Sequence, residues 1–116
     1  MPELVDLHLA GDGVATVTLQ HGKVNALSVE LLDQLAAVAD RLARPAAGDE
    51  RARCVVLTGG PKLFAAGADI TEFADAAHSD PSSESFALGD ADQVRRIGGA
   101  FLRALNAVEA LPMPTV

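Results

Sequence analysis

Apolar residues recur along the chain with two different periods, and each change of period marks a new element. In residues 4–9, Val5, Leu7 and Leu9 alternate with polar neighbours, the period of a half-buried strand. Gly11-Asp12-Gly13 follows, residues that tolerate positive φ and suit a tight turn. Residues 14–19 read VATVTL, rich in side chains that are stiff at χ1 and favoured in strands. The two runs together predict a β-hairpin. Residues 20–27 form a loop centred on Gly22. Ser28 then stands where a helix N-cap belongs, with Glu30 in the first turn, where the helix dipole favours an anion. Leu31, Leu32, Leu35, Val38, Ala39 and Leu42 follow at helical spacing as one stripe. Pro45 disfavours α geometry in the residue before it, so the helix should stop near Arg44.

Residues 53–58 predict a third strand. Its unbroken apolar stretch, Cys54 to Leu57, predicts burial on both faces, as in a parallel sheet. Gly59-Gly60-Pro61 ends it. Strand, helix, strand in this order predicts a right-handed βαβ crossover, and the fold class is α/β, or α+β with a parallel portion. Residues 71–77 suit a short helix. Residues 78–90 are polar and serine-rich, and a mobile loop is expected there. Residues 91–110 predict a second long amphipathic helix, with Val94, Ile97, Phe101, Leu105 and Val108 on its apolar face. Gly98 and Gly99 weaken that helix by roughly 1 kcal/mol each relative to alanine. Leu111-Pro112-Met113-Pro114 breaks it, and Thr115-Val116 reads as the opening of a further strand.

With 116 residues the chain holds one domain at most, and 49% hydrophobic with 22% charged residues are globular values. Sixteen acidic against nine basic residues give a net charge of −7, and aromatics are only 3%. Neither a basic face for phosphates nor a stacking platform for bases is present, so no nucleic-acid partner is expected. No apolar run reaches the roughly 20 residues of a membrane helix, so no membrane partner is expected either. The single cysteine, Cys54, excludes an internal disulfide, and a cytoplasmic location is the simplest expectation.

Most candidate chemistry has a plainer explanation. His8, His21 and His78 share no metal-ligand spacing and read as surface or half-exposed side chains; no metal is expected. Cys54 reads as a small buried hydrophobe. Glu72 and Asp75 could form an acid/base pair, but the solvent face of a short helix accounts for them better. The informative stretch is LFAAGADI, residues 63–70. A strand ends before it and a helix follows it. Small residues let a ligand approach the backbone, and Gly67 permits unusual φ. Two readings stay open: an anion- or oxyanion-binding loop, or a tight loop packed on the core.

The run FAAGADI followed by TEF resembles the first signature of the enoyl-CoA hydratase (crotonase) family. In chain order, VATVTLQ, the loop KVNALS, RCVVLTGGPKLFAAGADI and ALPMPTV are similar to further stretches of that family. The resemblance implies the N-terminal part of a crotonase-like spiral of β-β-α units, usually assembled as a homotrimer or hexamer. It implies an acyl-CoA thioester as substrate, with coenzyme A belonging to that substrate and no separate cofactor. Two backbone N–H groups would hold the thioester oxygen, the first of them on Ala68. Backbone at Val24, Ala26 and Leu27 would embrace the coenzyme A, while Ala66, Asp69 and Ile70 would line its channel. Lys62 could approach a phosphate. The second signature and the catalytic glutamates would lie beyond Val116, so the chain alone is expected to be inactive. Two helices whose apolar stripes suit a larger sheet predict, separately, low thermal stability or self-association of the isolated chain. Hydration of 2-enoyl-CoA is the leading expectation. Isomerase or other superfamily chemistry is the alternative, as is a non-catalytic fragment that only binds coenzyme A or a partner subunit.

Overall fold

A computed structural model describes residues 2–44, 51–76 and 91–116. Chain order is β1 (Val5–Leu9), β2 (Val14–Leu19), α1 (Val29–Ala43), β3 (Cys54–Thr58), α2 (Ile70–Ala76) and α3 (Ala91–Glu109). The expected mobile loop at 78–90, and His78 with it, lies outside the described residues.

The strands form one sheet in the order β1-β2-β3. Strand β1 runs antiparallel to β2, with Leu7 opposite Val17, and β2 runs parallel to β3, with Val17 opposite Leu57. The α/β class and the strand–helix–strand order follow from residues 14–58 as read. Gly13, at φ 93, closes the hairpin. Its N–H donates to Ala10 O at 3.0 Å, and Val14 N–H donates to Asp12 Oδ1 at 3.1 Å.

Helix α1 is fixed at both ends by the groups its sequence offers. Leu31 N–H donates to Ser28 Oγ at 3.1 Å, and Arg44, at φ −72 and ψ 141, is already extended. Such a cap contributes about 1 kcal/mol. The stripe of α1 buries Leu31 and Leu32 completely, with Leu35 and Ala39 nearly so, against Ala15, Val17 and Leu19 of β2 and Val55 of β3. Gln34 also ties α1 to β1: its Oε1 accepts from Leu4 N–H at 2.7 Å and from Val5 N–H at 3.2 Å.

The structure corrects one expectation and part of another. Strand β3 is buried on one face only. Val55 is 2% exposed, whereas Val56, on the other face with Thr16, is 36% exposed. Helices α1 and α3 both lie over the Val17–Val55–Leu57 face, where a void of about 10 Å³ remains between them and the sheet. That is a packing gap of water size, too small to be a binding pocket. Helix α3 turns most of the expected stripe inward: Ile97 is buried, and Phe101 and Val108 pack against the core. Val94 and Leu105 are instead exposed, and the buried Ala100 and Ala104 complete the inward stripe. Beyond α3, residues 114–116 extend the sheet alongside β3, as the sequence suggested. Val55 N–H donates to Pro114 O at 2.9 Å, and Leu57 N–H to Val116 O at 2.8 Å. No helix among the described residues is long and apolar enough to cross a membrane.

Candidate functional site

Strands β2 and β3 are parallel, so the loops that follow them leave from the same end of the sheet. In parallel α/β sheets the ground outside the carboxyl ends of the strands is where ligands bind. The two loops, residues 20–28 and 59–69, join each other through a short run of backbone bonds. Ala66 N–H donates to Val24 O at 2.9 Å, Leu27 N–H to Gly67 O at 2.8 Å, and Asp69 N–H to Leu27 O at 3.3 Å. Leu27 and Ala68 thereby form an isolated parallel bridge.

This ladder brings together residues 24, 26, 27, 66, 68, 69 and 70 from two separate stretches of the chain. Val24 and Ala66 are exposed and linked to each other. Both backbone groups of Leu27 are engaged in the ladder. The Ala26 carbonyl accepts from Ser28 N–H at 3.0 Å and from the His21 ring, 2.7 Å from Nδ1. A carbonyl can only accept, so His21 Nδ1 carries the proton. Ile70 is 78% exposed. Asp69 starts α2: its Oδ1 accepts from Thr71 N–H at 3.0 Å and from Thr71 Oγ1 at 2.6 Å.

Ala68 sits between two engaged neighbours, Gly67 O and Asp69 N–H, yet its own N–H has no hydrogen-bond partner among the described residues. Ala68 is also exposed. Gly67, at φ 98, turns the chain just before it, and a Cβ added there would meet open space. The backbone angle, rather than crowding, is what glycine serves at this position. An unpartnered N–H on an exposed residue, between two hydrogen-bonded neighbours, is a donor available to a developing oxyanion.

The sequence reading missed the groups that hold this geometry. Asn25 is 5% exposed and adopts φ 49, which asparagine tolerates better than most residues. Its Oδ1 accepts from His21 N–H at 2.8 Å, and its Nδ2 donates to Gly59 O at 2.8 Å and Phe64 O at 3.1 Å. Gly59 is needed for a steric reason: a Cβ there would overlap the Leu63 and Phe64 carbonyl oxygens. Glu72 is not simply on a solvent face. Its Oε1 accepts from Val29 N–H at 2.7 Å, placing a carboxylate on the first turn of α1. Only a cross-loop contact could have revealed these roles, and the asparagine of KVNALS was its one local sign.

A groove of about 560 Å³ lies beside the ladder, walled by Gln20, Lys23, Asn25, Gly59 and Lys62 among others; Ala68 is not among its walls. Lys23 and Lys62 are both exposed, two cations in a chain of net charge −7. No group of three or more His, Cys, Asp or Glu side chains among the described residues could hold a metal ion.

Comparison with known proteins gives the family and the fold. The family model for enoyl-CoA hydratase/isomerase matches residues 10–97. The structure of Pseudomonas aeruginosa DspI superposes with a TM-score of 0.75 at 25% identity, over 98% of this chain and 40% of that one. An enoyl-CoA hydratase from Bacillus anthracis gives 0.73 at 27% identity, over 97% and 38%. One from Mycobacterium smegmatis gives 0.69 at 27% identity, over 98% and 38%. The chain thus spans about two-fifths of the length of these solved relatives. Its α/β sheet, its paired loops and these matches place the chain in the enoyl-CoA hydratase/isomerase family, with the crotonase-type fold.

Proposed function

We propose that this protein binds an acyl-CoA thioester, and that the Ala68 N–H holds the thioester oxygen as it gains enolate character. The observation that carries the reading is the exposed, unpartnered Ala68 N–H, fixed between two engaged ladder positions. A donor of this kind is placed before reaction begins, so it stabilises developing charge without reorganising. One such donor is worth about 10²–10³-fold in kcat. Lys23 and Lys62 supply positive charge beside the ladder for the phosphates of coenzyme A. Backbone at Val24, Ala26, Leu27 and Ala66, with Asp69 and Ile70, borders the path of the thioester chain. The specific reaction we assign is hydration of 2-enoyl-CoA to 3-hydroxyacyl-CoA. The water-activating acid and base belong to residues outside this sequence, and the working assembly is a homotrimer or hexamer.

The test follows crotonyl-CoA hydration by the full-length protein, wild type against Ala68→Pro. Proline removes the N–H, and no internal hydrogen bond of the described structure is lost with it. The expected result is a fall in kcat of about 10²–10³-fold with an unchanged circular dichroism spectrum. Unchanged kcat in a folded variant would sink the role of Ala68. Isomerised instead of hydrated product would replace hydration with double-bond migration on the same donor.

A further inference from the structure

We infer that Asn25 is a positioning residue: its side-chain amide clamps the two loops together and so sets where the Ala68 N–H points. The inference rests on the role proposed above for Ala68. Its geometry stands on separate observations. Asn25 is 5% exposed and every side-chain bond it makes is to backbone. Oδ1 holds His21 N–H at 2.8 Å, within its own loop. The two Nδ2 hydrogens reach Gly59 O at 2.8 Å, where the second loop begins, and Phe64 O at 3.1 Å, at its bend. The orientation of the amide is unambiguous, because only Nδ2 can donate to two carbonyls and only Oδ1 can accept from an N–H.

These bonds do what the backbone ladder cannot. The ladder joins residues 24–27 to residues 66–69. It leaves residues 59–64, the approach to it, without a backbone tie to the first loop. Asn25 supplies that tie at both ends of the approach. Gly59 allows the same approach to fold tightly, since any Cβ there would overlap the carbonyl that Asn25 bonds. Asn25 adopts a positive φ of 49°, and its side chain bonds both its own loop and the facing one. Loss of the amide would free the second loop upstream of Ala68. A donor displaced by about 1 Å can lose on the order of 10²-fold in rate.

Two substitutions separate the amide from the backbone. Asn25→Asp keeps the acceptor for His21 N–H but turns a carboxylate oxygen toward two carbonyls. Asn25→Gly keeps the backbone conformation and removes the side chain. Amide hydrogen exchange in this chain gives the first readout. Exchange at Leu27, Ala66 and Asp69 should speed by about tenfold or more in both variants, while Leu35 and Ala39, buried in the interior of α1, remain unchanged. Lowering the pH should partly restore protection in Asn25→Asp alone, because a protonated carboxyl can donate one of the two lost bonds. In the full-length protein, Asn25→Asp should lower kcat for crotonyl-CoA hydration by about 10²-fold with little change in KM. Unchanged ladder exchange, or equal acceleration at core amides, would overturn the inference. So would failure of both variants to fold, since Asn25 would then serve the whole fold. If Ala68→Pro leaves kcat intact while Asn25→Asp still loosens the ladder, the thioester reading falls and the clamp stands.

Discussion

The sheet with α1 and the paired loops beside it are built on different physics. Within the core, many apolar side chains share the work. Leu19, Leu31, Leu32 and Val55 are each no more than 2% exposed, and all belong to one buried cluster. No single contact there is indispensable, and volume matters more than identity. In the loops, a few polar groups carry the geometry. One asparagine amide, one glycine without a Cβ and three backbone bonds fix where Ala68 lies. Substitution in the core should therefore change how stable the protein is, and substitution in the loops should change where its donor points.

The most severe test of that contrast is Leu31→Ala. Removing a fully buried leucine side chain should cost about 2–5 kcal/mol by urea denaturation, with ladder and core amides losing protection together. Retained core protection alongside a loosened ladder would break the contrast. Gly59→Ala comes next. The added methyl overlaps backbone, which cannot swing aside, so about 1–3 kcal/mol is expected, concentrated at residues 59–69 in amide exchange. Ser28→Ala should cost about 1 kcal/mol, read as a lower urea midpoint with unchanged slope. Gly98→Ala should stabilise by up to about 1 kcal/mol, because the helical site is exposed and a Cβ there meets nothing within 4 Å. Smallest is Asp33→Asn, which breaks the 2.8 Å pair with Arg103. Both side chains are more than half exposed, so a change of about 0.2–1 kcal/mol is expected, weakening further with salt.

The same contrast explains what could be read from the sequence. Period and cap residues are local, and they placed β1, β2, α1 and β3 within a residue or so, together with Ser28 as the cap. The open second face of β3 was not legible, because Val56 is as apolar as Val55 and only the course of the helices distinguishes them. The inward stripe of α3 was legible in Ile97, Phe101 and Val108 but not at its edge, where the small Ala100 and Ala104 are buried although hydrophobicity ranks Leu105 above them. At the site, FAAGADI announced a loop that a ligand can approach, and the family resemblance singled out Ala68. Neither could show that Asn25 reaches Phe64 or that Glu72 reaches Val29, since those contacts join residues far apart in the chain.

That separation has a consequence for the order in which the molecule assembles. The bonds from Asn25 bridge 34 and 39 positions, and the intervening chain contains α1 and β3. Closing a loop of that length is entropically unfavourable until the strands at its base are already paired. Docking of β3 beside β2 brings the two loop bases together and leaves only a short gap to close. The donor site is accordingly a late event in folding: a chain that has completed its hydrophobic collapse can still lack a correctly aimed Ala68, and maturation of the site can lag behind burial of the core.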